Sequence, residues 1–267
     1  MGKEKKCGRG ITMGVKTIIS LNDIRPYINA KKLTPTTDGI MDSVYIIDDS
    51  FVLKVFENMS SEAVKEELEL LKSCENLNIP KVVSQVITIQ NKPALIYEKC
   101  KGQSLKKATV DEIVQIGKFL KSFHDITKNK QSNNMELFAR NRLYEMICDT
   151  KHHPFLECFN SLDIELKNDG IIHGDLFLDN ASFYHGKLSC VYDFTQSCNG
   201  DFLFDLGVVG LSWCDGIEDK KALLRGYESD ISMDILDKYI KYAGLFYSVN
   251  RFSNNRNFKD LWEKIND

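Results

Sequence analysis

Two kinds of apolar patterning are unevenly divided along this 267-residue chain, and that division limits what it can fold into. Short runs of β type crowd the first hundred residues; helical periodicity fills the rest. Val44–Ile47 and Phe51–Phe56 flank Asp48-Asp49-Ser50, a turn cluster, and read as a hairpin. Lys81–Ile89 and Ala94–Glu98 flank Asn91-Lys92-Pro93 and suggest a second one. A helix is expected over Ser61–Cys74, and Lys99–Ser104, with Gly102, reads as a connector. Beyond it, Ile113, Ile116, Gly117, Leu120 and Phe123 share one face of a helix opening near Asp111, and Glu136–Cys148 reads as another amphipathic helix. Helical patterning resumes at Phe204, with Val208, Val209 and Leu211 deeply buried. Strands first and helices after predict an α+β chain. Residues 15–100 form a small N-terminal β-sheet lobe, and residues 101–267 a larger, mainly helical C-terminal lobe.

Hydrophobic residues make up 43% of the chain, enough for a real core. A net charge of −3 supplies no field to draw nucleic acid or an anionic membrane. No apolar run approaches the roughly 20 residues of a membrane span. Neither nucleic acid nor membrane is an expected partner. The eight cysteines include no Cys-x-x-Cys pair and read as reduced thiols of a cytoplasmic protein. Met1–Gly10 carries Lys3, Lys5, Lys6 and Arg9 against Glu4 and lacks the apolar core of a signal peptide. Residues 1–14 read as a disordered tail, with Met13 as an alternative start.

Ile171–Asn180, Ile-Ile-His-Gly-Asp-Leu-Phe-Leu-Asp-Asn, interrupts the helical half. Four residues separate Asp175 from Asn180, and Asp193 follows an apolar run in Tyr192-Asp193-Phe194. This is the H-x-D-x-x-x-x-N spacing of a kinase catalytic loop followed by a metal-binding aspartate. Asp175 would accept or orient the proton of an attacking hydroxyl; alone, it would read equally as a turn aspartate. Asn180 and Asp193 offer hard oxygens to Mg2+, a cation that takes few protein ligands. His173 reads as a backbone-holding residue. Asp205 either caps a helix or ties that helix to the loop.

Lys54 stands mid-strand among apolar neighbours. It must reach solvent or an anion such as the α- and β-phosphates of ATP. In the next helix, Ala63, Val64, Leu68, Leu70, Leu71 and Cys74 define an apolar arc at about 100° per residue. Glu67 falls near its middle, where a carboxylate needs a partner, and Lys54 is the obvious one; Glu66 is next in line. Asp38-Gly39-Ile40-Met41-Asp42-Ser43 occupies the place of a phosphate loop without a G-x-G-x-x-G pattern. Its amides and Ser43 are candidate phosphate contacts, with a surface turn as the alternative. Asp215, Glu218 and Asp219 read as a solvated helix end or as a receiver of cationic substrate, and Trp213 as core.

Taken together, these residues resemble the aminoglycoside phosphotransferase and choline kinase group, relatives of the protein kinases, over roughly Val44 to Phe252. The likeness is strongest at His173–Asn180. The C-terminal half looks most like the bacterial homoserine kinases of this fold, at Asp193-Phe194, Cys198-Asn199, Phe204-Asp205-Leu206-Gly207, Trp213-Cys214, Leu223–Glu228 and Phe246–Phe252. The resemblance implies a bilobal protein-kinase-like fold with ATP in its cleft. It makes Asp175 the catalytic base, Asn180 and Asp193 the magnesium ligands, and Lys54 with Glu67 the phosphate-binding pair. It implies phosphoryl transfer from ATP to the hydroxyl of a small molecule, L-homoserine or a similar amino alcohol first, an aminoglycoside, amino-sugar or choline-type acceptor next. A nucleotide-binding regulatory module without transferase activity is a third reading, favoured by the glycine-poor phosphate loop. Gly174 stands where homoserine kinases often carry alanine.

Overall fold

The computed structural model describes residues 14–37, 41–134 and 136–266. The expected tail through Met13, and Asp38, Gly39 and Ile40 of the candidate phosphate loop, lie outside the described residues. The chain divides into two compact units, Met1–Lys72 with Pro80–Lys99, and Ser73–Ile79 with Cys100–Asp267.

The first unit is built on an antiparallel sheet of β1 (Leu33–Pro35), β2 (Ser43–Ile47), β3 (Phe51–Val55), β4 (Ile87–Ile89) and β5 (Lys92–Glu98), in the order β1-β2-β3-β5-β4. Asp48 and Asp49, both at positive φ, close the β2–β3 hairpin at the expected turn. Alternation turns Tyr45, Ile47, Leu53 and Val55 into a core with Ile24, Ile89 and Ile96, while Lys54 points to the other face. Helix α1 (Leu21–Ile24) contributes Ile24, and α2 (Ser61–Ser73) buries Val64, Glu67, Leu68, Leu70 and Leu71. The run Lys81–Ile89 is strand only at its end. Val82 makes a single bridge to Tyr97, and the Ser84 hydroxyl accepts from Ile96 N at 2.9 Å, so a side chain interrupts the backbone ladder. Likewise β5 starts at Lys92, before the expected Ala94, because Gln90 and Asn91 carry the positive φ of the turn.

In the second unit α3 (Val110–Thr127) opens on a capping box between Thr109 and Glu112. Helix α4 (Arg140–Thr150) begins four residues later than its pattern suggests, and α5 (His153–Ser161) follows. Strand β6 (Gly170–Ile172) pairs with β9 (Cys198–Gly200), and β7 (Ala181–Tyr184) with β8 (Lys187–Val191). Then come α6 (Phe202–Trp213), α7 (Ile217–Tyr227), α8 (Met233–Ser253) and α9 (Lys259–Lys264). Val208, Val209 and Leu211 on α6 are buried as their pattern predicts. Ser73–Ile79, expected with the first lobe, packs here instead: Asn78 donates its side chain to Leu188 O at 3.1 Å and accepts from Val191 N at 2.7 Å. Among the described residues no helix is long and apolar enough to cross a membrane.

The reading of all cysteines as reduced thiols is corrected at one pair. Cys100 and Cys190 are disulfide-bonded, with Cα atoms 6.0 Å apart. The pairing of Gln103 with Phe183 brings the connector alongside the β7–β8 hairpin that carries Cys190. Cys74, Cys148, Cys158, Cys198 and Cys214 are free.

Candidate active site

Strand β6 delivers the chain to a loop that is fixed mainly by what lies beneath it. His173 is fully buried; its Nδ1 accepts from Asp175 N at 3.2 Å. Its Nε2 therefore carries the proton and donates to Tyr192 O at 3.2 Å. Burial holds the ring below its ordinary pKa and so neutral, a structural role. Asp205, 0% exposed, lies under the same loop. It accepts from His173 N at 2.8 Å, Gly174 N at 2.7 Å and His124 Nε2 at 3.0 Å. The cap of α6 is Asp201, which accepts from Leu203 N at 2.8 Å. Asp205 is thus the tie between helix and loop, and the capping alternative is excluded. From the far end of α6, Ser212 Oγ accepts from Leu178 N at 3.0 Å, and the buried Trp213 donates its indole N–H to Leu176 O at 2.9 Å.

Gly174 adopts φ +80°, and a Cβ there would lie 2.3 Å from the buried ring of Phe138. That ring is held in place by stacking on Phe204 at 4.5 Å. Gly174→Ala is therefore expected to cost about 1–3 kcal/mol of stability. Thermal unfolding checks this; an unchanged midpoint would show that Phe138 yields.

Above this base the expected residues gather. Asn180 donates its amide to Asp175 O at 2.6 Å and to Asp175 Oδ2 at 3.2 Å, which leaves Asn180 Oδ1 as the oxygen available to a cation. Asp193 sits in the left-handed region at φ 66°, exposed, and accepts from Thr195 Oγ1 at 2.9 Å. Burial, then the charge of Asp193, pushes the Asp175 carboxyl up to about 7. One amide oxygen and one exposed carboxylate suit Mg2+, which keeps several waters and phosphate oxygens of its own. No cluster of three or more His, Cys, Asp or Glu side chains suited to a metal occurs among the described residues.

In the first unit, Lys54 Nζ lies 3.4 Å from Asp42 Oδ2, both side chains largely buried, and 4.8 Å from the centre of the Phe56 ring. In the sequence Asp42 is only one acid of the candidate phosphate loop. Glu67, 6% exposed, takes the buried position deduced for it and accepts from Tyr97 OH at 3.4 Å. Ser43 lies differently from its expected role. Its hydroxyl is buried, accepts from Lys16 N at 2.7 Å and Thr17 N at 2.9 Å, and donates to Glu57. Burial raises the pKa of Glu57, but hydrogen bonds from Lys92, Ser43 and Thr17 outweigh it and hold the carboxyl below its ordinary range. Ser43 thus anchors the base of the loop, and its hydroxyl is not presented to a phosphate. Two of the three acids at 215–219 are ion-paired, Asp215 with Lys107 at 2.9 Å and Glu218 with Lys221 at 2.7 Å, and Asp219 accepts from Asp215 N at 2.9 Å. That pairing does not favour a receiver of cationic substrate.

The family described as "Phosphotransferase enzyme family" matches residues 32–239. A homoserine kinase of Neisseria meningitidis serogroup B is 25% identical over 248 residues, 81% of this chain and 81% of that one. Among solved structures, the choline kinase LicA from Streptococcus pneumoniae superposes with a TM-score of 0.69 at 15% identity, over 91% of this chain and 96% of that one. The GDP and kanamycin complex of APH(2″)-IIIa gives 0.68 at 17% identity, over 91% and 95%. These likenesses show the kinase-like α+β fold expected from the sequence.

Proposed function

From the premise that the chain belongs to the phosphotransferase enzyme family, we propose that it transfers the γ-phosphoryl group of ATP to the hydroxyl of a small molecule. L-Homoserine or a close amino alcohol is the first-choice acceptor. The observation that carries the reading is the geometry at 173–193: a partly buried carboxyl beside an asparagine, with a second carboxylate close enough to raise its pKa. Asp175 receives or orients the proton of the attacking hydroxyl. Asn180 Oδ1 and Asp193 would hold Mg2+, which would supply positive charge to offset that on the transferring phosphoryl group. Lys54, with Glu67, holds the α- and β-phosphates. The homoserine kinase relative supports the acceptor. The setting of this chemistry is the cytoplasm, where ATP is at hand.

A screen of ADP release tests the proposal, with ATP or GTP as donor and homoserine, serine, choline and aminoglycosides as acceptors. Asp193→Ala serves as blank. ADP formation with homoserine above that blank is expected. Turnover confined to aminoglycosides or choline would move the acceptor. Tight ATP binding with no consumption on any acceptor would replace the enzyme by a nucleotide-binding module. Lys54→Met is expected to raise the nucleotide KM about tenfold or more, since a charge-assisted phosphate contact is lost; an unchanged KM would remove Lys54 from the site.

A further inference from the structure

We propose that Tyr247 is a positioning residue for Asp175, its hydroxyl holding the Gly174–Asp175 peptide and the Asp175 carboxylate in one arrangement toward the acceptor. The inference rests on the reading of Asp175 as the group that receives the acceptor's proton.

Tyr247 lies well inside α8, a 21-residue helix, and is 7% exposed. Its ring meets Phe177 edge-on at 4.7 Å, with Phe138 at 6.4 Å. Phe177 and Gly174 flank Asp175 in the loop, so the ring is lodged beside the segment it serves. At its tip the hydroxyl donates to Gly174 O and also interacts with the Asp175 carboxyl. Burial, then Asp175, raises the phenol far above its ordinary pKa, so it stays protonated and acts as a donor, not a base. A phenol has one proton, and rotation about the Cζ–Oη bond serves either the carbonyl oxygen or the carboxylate. Asn180 holds Asp175 through its amide nitrogen. Tyr247 supplies a second hold from a rigid helix, on the carbonyl of the peptide that leads into Asp175.

Tyr247→Phe keeps the ring and removes the hydroxyl. Loss of this hold beside Asp175 is expected to lower kcat about tenfold or more. Acceptor and nucleotide KM should stay within about threefold. In an Asp175→Ala background the same change should cost nothing further, because the residue acts through Asp175. A kcat within about twofold of the parent, or an equal loss in both backgrounds, would overturn the proposal. A second readout needs no turnover. The infrared carboxylate band of Asp175, isolated by difference from Asp175→Asn, should shift in Tyr247→Phe. It should also shift when 3-fluorotyrosine replaces Tyr247 with the ring and hydroxyl retained. An unmoved band in both overturns the proposal. If the parent enzyme turns over no acceptor, the function proposed above falls, and the band alone decides Tyr247.

Discussion

Asp175→Asn is expected to lower turnover by several orders of magnitude and, at neutral pH, to make the folded protein more stable. The first effect follows from the parts of such a site acting as a unit: without a proton acceptor beside the attacking hydroxyl, the remaining groups have little to assist. The second follows from burial. The Asp175 carboxyl has an ordinary value of 3.8 and is raised to about 7, by desolvation first and Asp193 next. Between about pH 4 and 7 the folded chain keeps a proton that the unfolded chain has released. The contribution of this group is therefore full below the unfolded value and is lost as pH rises through 7. Asparagine has no charge to bury. Its advantage should be under half its full size near pH 5 and level off above pH 7, at about 2 kcal/mol once partial exposure is discounted. Urea unfolding at pH 5 and pH 8 measures this, with turnover assayed in parallel. Near-normal turnover in the variant would sink the mechanism; equal midpoints at both pH values, relative to the parent, would sink the burial argument.

What the sequence discloses and what it hides follows from chain distance. Asp175, Asn180 and Asp193 lie within 19 positions of one another, so their spacing alone outlines the loop. Glu67 was legible because a helix has a fixed period and a buried carboxylate stands out on an apolar arc. The role of Ser43 is hidden in the sequence because its partner, Glu57, lies across a hairpin whose register the sequence leaves open. Asp42, beside Lys54, looked like an unremarkable loop acid. The link between Cys100 and Cys190 spans 90 positions, with no local signal at either end. Tyr247 is one of ten tyrosines, and only packing shows which of them reaches the loop. The fold class survives such gaps because it depends on the order of many elements; a site depends on single side chains.

Asp205 illustrates the same limit and gives the second large prediction. From sequence it was either a cap or a tie, and the energies of those roles differ. Loss of a helix cap costs about 1 kcal/mol. Removing one partner of a buried charged network costs about 3–5 kcal/mol, because the groups left behind lose their hydrogen bonds where water cannot replace them. Asp205→Ala strands the amides of His173 and Gly174 and the imidazole of His124. It is expected to lower the unfolding midpoint by roughly 10 °C, at about 2–4 °C per kcal/mol for a chain of this length. Asp201→Ala is not a cap-only comparison, because the buried Asp201 carboxylate also accepts from Lys167 N at 2.9 Å and from Tyr239 OH at 2.7 Å. The acid dependence has a definite sign. Burial raises the Asp205 carboxyl, but His124, His173 and Gly174 N–H together outweigh it and hold the carboxyl below its ordinary value. Its stabilising contribution is therefore present above the unfolded value near 3.8 and is lost as pH falls through the lower folded one. The gap between the parent and Asp205→Ala should then narrow only in strong acid. A gap already closed at pH 5, or an Asp205→Ala midpoint equal to the parent's, would show that the loop at 173–178 holds its shape without this tie.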